Sequence, residues 1–273
     1  MAITTLDGLL AGLRPPISYF KSTFTGEAIG RLHNLFAIAG IPAAGVLAVV
    51  GLAGVTVSAG STIGGHLDWT NPAVGNAYLA KVNWNVNAAM VGVTIYDLLW
   101  YNSGIVVTTT TAQTINSVTW PARSADGTIN GQQIEIFIHC QVATTNAAAI
   151  TNTTYSYTNQ AGTAGQVAGL IPSWPATAVI NTIVPFGLQG NDTGVRSVQS
   201  ITLGTSYVAG TINLMAIRRV AQLGFFAANT GQNLNAFDLG MPQLFDNSAL
   251  YAMNLLSGTG AGENSAHIQF AHG

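Results

Sequence analysis

Hydrophobic and polar residues alternate over much of the chain after residue 77, and a period of two is typical of β-strands with one buried face. The clearest case is the stretch 78–87, which reads YLAKVNWNVN. Its apolar and polar sides are Ala80, Val82, Trp84 and Val86 against Lys81, Asn83, Asn85 and Asn87. The pattern predicts a strand with one face on a core and the other on solvent.

A second alternating stretch, IEIFIHCQV at 134–142, contains the single cysteine of the chain directly after a histidine. A thiol beside an imidazole is one way to build a nucleophilic site, so Cys140 and His139 are the first candidates for catalysis. Strand parity separates them, because it places Cys140 with the isoleucines and Val142, and His139 on the other side with Phe137. We therefore predict a buried, inert thiol.

Further strand-like stretches follow, separated by turn signals rich in Gly, Asn, Ser and Asp. They are 91–96, 104–111, 114–120, 152–158, 177–186, 198–206, 210–218, 248–256 and 265–270. After residue 75 the pattern predicts no long helix, apart from a weak one near 231–238. Many short strands predict an all-β fold, and we expect a β-sandwich or jelly-roll-like body.

The first 70 residues follow a different pattern, which predicts an extended N-terminal arm carrying a short helix. Thr5 is a candidate N-cap, and leucines follow at helical spacing until two prolines end the pattern. The predicted assembly contacts of the arm are Leu6, Leu9, Leu10, Leu13, Pro15 and Pro16. The expected division is an arm over 1–70, a β-sandwich body over 71–222, and a C-terminal segment over 223–273 that completes the body.

A stretch without charged residues, 34–65, raises the question of a membrane span, since a span needs about 20 apolar residues. The stretch is mostly alanine and glycine, contains Pro42, and lacks the flanking cations and aromatic anchors of a stable span. We expect no membrane span, and we expect the arm to become ordered by contact with the body or with neighbouring molecules.

Composition limits the partners that the surface can bind. Charged residues make up 7% of the chain, against roughly 25% in an average soluble domain. The surface must therefore consist largely of Thr, Asn, Ser, Gln and Gly, and a formal net charge of -2 leaves little repulsion between copies. The only basic patch is the pair Arg218 and Arg219, so we expect no nucleic-acid binding.

Sequence motifs for catalysis or metal binding are absent. The five histidines do not occur at metal-site spacings, one cysteine excludes a multi-thiolate site, and no nucleophile-elbow motif occurs. The segment DGTING at 126–131 has the composition of a calcium loop without its ligands, and it predicts a hairpin turn. We expect no catalytic, metal-binding or cofactor-binding residues, no cofactor, and no enzymatic activity.

Several stretches of the sequence resemble those of a family of tailed-bacteriophage virion structural proteins. They are ITTLDGLLAGLRPP from residue 3, AGIPAAG from 39, NPAVGNAYLAKV from 71, LWYNSGIVVTTTTAQTINSVTWPAR from 99, SYTNQAGTAG from 156, DTGVRSVQSITL from 192 and GMPQLFDNSALY from 240. The resemblance runs through nearly the whole chain. It implies a virion component assembled in the bacterial cytoplasm, specifically a capsid cement or decoration protein, and it transfers no catalytic residues.

The partners expected on this interpretation are the major capsid protein or other virion proteins, together with further copies of the chain in a homotrimer. A charge-poor β body with a Gly/Ala-rich arm can bury main chain and small side chains without the desolvation cost of charged groups. We expect removal of residues 1–30 to weaken attachment to capsids while the β body still folds.

Two other functions stay open at the level of sequence. A tail or head appendage for host attachment would need exposed aromatics for stacking on sugars, and the candidates are Tyr155, Tyr157, Trp120 and Trp174. Tyr155 and Tyr157 alternate within a strand, however, and suit a core equally well. An enzyme such as a depolymerase is the third class, and it would require a His, Asp or Glu whose loss abolishes activity.

Overall fold

The computed structural model describes residues 3–24, 26–258 and 262–273, and these form an all-β fold with two short helices. The helices are α1 (Leu6–Gly12) and α2 (Ala236–Leu239). The strands are β1 (Ile17–Ser22), β2 (Leu32–Asn34), β3 (Gly40–Ile41), β4 (Val55–Thr56), β5 (Ala77–Val86), β6 (Met90–Tyr101), β7 (Gln113–Thr114), β8 (Ile134–Val142), β9 (Thr154–Asn159), β10 (Gln166–Gly169), β11 (Thr182–Pro185), β12 (Val195–Thr202), β13 (Thr211–Gly224), β14 (Thr230–Leu234), β15 (Gln243–Leu244), β16 (Leu250–Leu256) and β17 (Glu263–His272). The prediction of an all-β, sandwich-like body is confirmed.

A seven-stranded antiparallel sheet forms the centre of the fold and closes on itself. Its order is β13-β8-β11-β2-β16-β6, after which β6 pairs back onto β13. The short strand β4 continues the edge of β6 beyond the end of β16. We call the ring the closed sheet, and its closure removes the exposed edges that open sheets carry.

Two open sheets lie against the closed sheet. The outer sheet has the order β14-β5-β17-β1-β3, with β15 also paired to β5, and the small sheet has the order β10-β9-β12-β7. Side chains of the outer sheet, such as Trp84, share one core with Ile95 of the closed sheet. Side chains of the small sheet, such as Tyr157, share a second core with Ile136, and a third core that includes Phe137 lies inside the closed sheet.

Strand β8 separates two of these cores, which explains the alternation of its side chains. Cys140 and the isoleucines of β8 belong to the core under the small sheet, whereas Phe137 belongs to the core inside the closed sheet. His139 is buried on the Phe137 side, so the predicted separation of Cys140 from His139 is confirmed. Val142 differs from the prediction, because it lies at the end of β8 and its side chain is exposed.

Two predicted strands are wrong in the region before β8. Of the stretches 104–111 and 114–120, only the residues of β7 at their junction pair as a strand. The side chain of Gln113 replaces ladder pairing there, because its Oε1 accepts from Val106 N at 2.8 Å and its Nε2 donates to Val106 O at 3.0 Å. The weak helix predicted over 231–238 is also largely wrong, because residues 230–234 pair with β5.

The N-terminal segment contributes strands to two sheets. Strand β1 lies between β17 and β3 in the outer sheet, and β2 lies between β11 and β16 in the closed sheet. The domain limits stay a prediction, and so does folding of the β body without residues 1–30, a removal that would take β1 out of the outer sheet. Residues 34–65 are mostly irregular. No helix within the described ranges has the length and apolar character needed to cross a membrane.

A buried lysine ties β1 to the segment that follows β2. The Lys21 ammonium donates to the carbonyl oxygens of Phe36 at 3.0 Å and Ile38 at 2.9 Å. Burial lowers the pKa of Lys21 to about 8. The early part of the predicted arm is thus anchored to the chain's own body by main-chain acceptors.

A buried charge cluster connects the closed sheet to the long segment between β7 and β8 and to the short connection before β16. The Asp97 carboxylate lies 3.3 Å from Arg123 Nε and 4.0 Å from Arg218 Nη2, and all three side chains are buried. Asp97 also accepts from Ser248 Oγ at 2.8 Å and from Ala249 N at 2.9 Å. These bonds compensate the desolvation of the carboxylate, so the cluster is stable only when all partners are present.

We expect Asp97→Asn to lower the free energy of unfolding by about 3 to 5 kcal/mol, because it leaves two buried guanidinium groups without their counter-charge. Urea denaturation of the variant measures this loss. The matched control is Glu135→Gln, which removes the half-exposed ion pair with Arg219 and should cost less than about 1 kcal/mol. Equal losses in the two variants would contradict the structural role of Asp97.

Two histidines are buried in neutral form. Burial lowers the pKa of His139 to about 4, against the opposing effect of the Asn181 and Asn213 amides. Burial likewise lowers the pKa of His33 to about 4. The Nε2 atom of His33 accepts a hydrogen bond from Ala28 N at 3.1 Å, which requires this nitrogen to be unprotonated.

We expect acidification to destabilise the protein through these groups. Between the unfolded histidine pKa of about 6.5 and the folded value the unfolded chain binds more protons, so stability falls as pH falls. Each histidine should account for about 2 kcal/mol between pH 7 and pH 5. Between pH 7 and pH 5, His139→Gln should lose about 2 kcal/mol less stability than the wild-type chain, whereas the exposed control His267→Gln should lose as much as wild type. Unfolding curves at several pH values measure these losses, and a wild-type pH dependence in His139→Gln would contradict the assignment.

Candidate interaction surface

Helix α1 forms because its ends are capped by its own residues. Thr5 Oγ1 accepts from Gly8 N at 3.0 Å, which confirms the predicted N-cap, and Asp7 in the first turn complements the helix dipole. Leu13 leaves the helical conformation, and Pro15 and Pro16 follow in an exposed connection to β1. The predicted short helix on the N-terminal segment is therefore confirmed.

The C-terminal end of α1 lies on β17, the central strand of the outer sheet. Arg14 N donates to Phe270 O at 2.9 Å, and Leu13 forms a β-bridge with Ala271. Gly12 permits this approach, because a Cβ atom at this position would lie 2.3 Å from the carbonyl oxygen of His272. Burial lowers the pKa of His272, and the charge of Arg14 adds to the shift.

Helix α2 stands beside α1 on the same sheet and is held by a capping box. The Asn235 side chain accepts from the backbone of residues 237 and 238, and the Asp238 carboxylate accepts from Asn235 N at 3.0 Å. Gly240 ends the helix with a φ of 67°, a conformation that favours glycine. The spacing of Asn235 and Asp238 is that of a capping box, from which the start of α2 could have been predicted.

A groove of about 250 Å³ lies between the two helices, above β5 and β17. Leu9 and Leu13 of the α1 segment, Ala80 of β5 and Phe237 of α2 supply its apolar walls. Polar atoms come from Lys81, Asn235 and Gln269.

Three large apolar side chains of the two helices are exposed, Leu6 and Leu10 on α1 and the groove residue Phe237 on α2. Leu6 is 60% exposed, Leu10 is 59% exposed and Phe237 is 84% exposed. Single exposed apolar residues are ordinary on protein surfaces, whereas several around one apolar groove indicate an interaction site. We call the groove residues together with Leu6, Leu10 and Phe237 the helical patch.

The structure divides the six predicted contact residues into three pairs. Leu9 and Leu13 line the groove, Leu6 and Leu10 project beside it, and the two prolines lie outside the patch. Helix α1 therefore has more apolar surface than it buries against its own sheet. Phe237 was not predicted, because it is distant in sequence and reaches the patch only through the pairing of β14 with β5.

The exposed face of the outer sheet beside the patch is polar and nearly uncharged. Asn83 of β5 lies between Asn233 of β14 and His267 of β17 in the sheet register, and Asn85 lies beside Ser265. Amide and hydroxyl groups can exchange hydrogen bonds with a partner at a lower desolvation cost than charges.

Cys140, the candidate nucleophile, lacks the environment that activates a thiol. Burial raises the pKa of its thiol to about 12, and its Sγ donates to Val142 O at 3.3 Å. Its sequence neighbour His139 lies on the opposite side of β8. The predicted buried thiol is confirmed.

The aromatic residues considered for sugar binding are all inside the protein. Tyr155, Tyr157, Trp120 and Trp174 are at most 3% exposed, so none of these four candidates is available to stack on a glycan. Each belongs to the core under the small sheet. Within residues 3–24, 26–258 and 262–273, no group of three or more His, Cys, Asp or Glu side chains is placed to hold a metal ion.

The two adjacent arginines do not form a basic patch. Arg218 is buried beside Asp97, and its guanidinium lies 5.0 Å from the centre of the Phe245 ring. Arg219 faces solvent and pairs with Glu135 at 2.7 Å.

No protein-family model matches the chain, and no curated protein matches it. Among solved structures, the chain is similar to a structure of the infectious bursal disease virus Gt strain, with 9% identity and a TM-score of 0.19 over 95% of this chain and 82% of that chain. It is also similar to the infectious bursal disease virus VP2 subviral particle, with 10% identity and a TM-score of 0.22 over 96% of this chain and 81% of that chain. TM-scores this low do not establish a shared fold.

We expect Gly12→Ala to detach α1 from the outer sheet, because its new methyl group would overlap His272 O. Overpacking of this kind costs about 1 to 3 kcal/mol. Hydrogen exchange should therefore accelerate at least about fivefold at the Leu9 and Leu13 amides in the variant, while the exposed control Ala11→Ser in the same helix should leave both rates near wild type. Unchanged protection in Gly12→Ala would show that α1 does not depend on this contact.

Proposed function

We propose that the protein is a structural component of a tailed-bacteriophage virion, specifically a capsid cement or decoration protein that stabilises contacts between capsomers. The observation that carries the proposal is the helical patch. An apolar groove flanked by exposed leucines and a phenylalanine is costly to leave in water and is covered when a partner binds. Sequence stretches that resemble phage structural proteins also occur along nearly the whole chain, including the α1 sequence.

The position of the patch suits attachment to a large, fixed surface. The outer sheet below it packs on the closed sheet through a continuous core, so the two helices stand on a firm base. The neighbouring amide-rich face extends the area available for contact without adding like charges.

Self-association into a trimer belongs to the same proposal. The outer sheet ends in β14 and β3, and the small sheet ends in β10 and β7. Symmetric assembly can cover such edges together with apolar surface, and a net charge of -2 opposes it little. The major capsid protein or another virion protein is the second partner, and assembly takes place in the bacterial cytoplasm.

The test is attachment to capsids assembled without this protein. We expect the wild-type chain to sediment with them at a fixed stoichiometry, and we expect the variant Leu6→Ser/Leu10→Ser/Phe237→Ser to lose at least about tenfold in affinity, because three anchors of the patch become polar. Its stability should stay within about 0.5 kcal/mol of wild type, since all three side chains are exposed.

The chain offers a matched control for this variant. Val49, Val74 and Phe226 are 89%, 87% and 97% exposed and lie outside the helical patch. Val49→Ser/Val74→Ser/Phe226→Ser should attach like wild type. Wild-type attachment by the patch variant, or an equal loss in both triple variants, would refute the role of the helical patch.

A further inference from the structure

One end of the closed sheet contains a pocket that is separate from the helical patch. Strands β2 and β6 begin at this end, and β11, β13 and β16 finish there. The cavity has a volume of about 240 Å³, slightly below the range of about 300 to 1,000 Å³ for drug-sized ligands. The mouth of a closed sheet is a common position for small-molecule sites.

The floor of this mouth pocket is apolar and is built by one row of the sheet. Ile183 of β11 lies opposite Leu32 of β2, and Leu32 lies opposite Leu255 of β16. The next position in the row, on β6, is Gly92, which has no side chain and leaves the row open at that point. The pocket therefore offers an apolar contact surface of limited length.

Cations are concentrated at the same pocket. The chain has eight Lys and Arg residues, of which Lys21, Arg123 and Arg218 are buried. Of the five that remain, Arg31 and Arg219 both line this pocket. In a chain with so few charges, their convergence on one apolar cavity is the feature that needs an explanation.

Both guanidinium groups are held in place while keeping free donors. Arg31 Nη1 donates to Ser173 O at 2.7 Å, and Arg219 Nε donates to Glu135 Oε2 at 2.7 Å. The Arg219 guanidinium also lies 5.7 Å from the centre of the Phe137 ring. Each group has five N–H donors, so those not used in these bonds are available to an anion.

We propose that the mouth pocket binds a small amphipathic carboxylate. The carboxylate accepts charge-assisted hydrogen bonds from Arg31 and Arg219, and the apolar body lies on Leu32, Ile183 and Leu255. The one acidic partner, Glu135, offsets one of the two positive charges, so the pocket matches a ligand with a single negative charge. The volume limits the apolar body to a short chain or a single ring.

Calorimetric titration of the full chain with hexanoate, acetate and 1-hexanol tests this proposal. Hexanoate combines the two required features, whereas acetate lacks the apolar body and 1-hexanol lacks the charge. We expect hexanoate to bind at least about tenfold more tightly than either. Methyl NMR of the wild-type chain should show hexanoate-dependent shifts at Leu32, Ile183 and Leu255.

Single substitutions then test the role of the cations. Arg31→Gln and Arg219→Gln should each weaken hexanoate binding about five- to tenfold, because each removes one charged donor pair. The control Arg196→Gln removes a cation outside this pocket and should leave the affinity within about twofold of wild type.

Three results would overturn the proposal. They are no detectable hexanoate binding at millimolar concentrations, equal affinities for hexanoate and acetate, and methyl shifts that fall outside the pocket. All three are measured on the wild-type chain, so they are independent of whether any variant folds, and none of them bears on attachment through the helical patch.

Discussion

Asp97 carries its charge inside the protein, where β6, β13 and the loop before β16 meet. Its carboxylate faces two arginines and accepts hydrogen bonds from Ser248 Oγ and from the backbone of residue 249. Arg123 in turn donates to the carbonyl oxygens of Val57 at 2.7 Å and Leu98 at 2.9 Å. Because a buried charge is tolerable only with its full set of partners, the closed sheet and the surrounding loops must form together.

This use of charge in the interior shapes the outside of the molecule. Three of the eight cations are buried, and the surface that remains is rich in amides and hydroxyls. The apolar helical patch and the mouth pocket with its two arginines stand out against that background. The closed sheet positions both features. The patch stands on the outer sheet, which packs on the closed sheet, and the pocket is formed by the ends of the closed sheet's own strands.

Local features of the fold could be predicted from the sequence, and long-range ones could not. The N-cap at Thr5 and the opposite orientations of His139 and Cys140 follow from rules that act over a few residues. Closure of the central sheet depends on β13 pairing with β6 and on β2 entering between β11 and β16, and no local pattern encodes these pairings. The stretch 104–111 shows the same limit. Alternation indicated strand pairing there, but the backbone of Val106 bonds to the Gln113 side chain instead.

The same distinction applies to the sites. The leucines of α1 were predicted as contacts from their spacing, whereas Phe237 and the mouth pocket depend on segments brought together by the sheets. The parity of Tyr155 and Tyr157 already suited a core, and the packing of the small sheet on β8 decided between the two interpretations.

The proposed role of the helical patch is to attach the protein within a virion. Cryo-electron microscopy of particles that contain the protein tests it most directly. If the helical patch makes the attachment, Leu6, Leu10 and Phe237 lie buried against a neighbouring virion protein or another copy of the chain. A map in which the patch faces solvent while another face makes the attachment would contradict it.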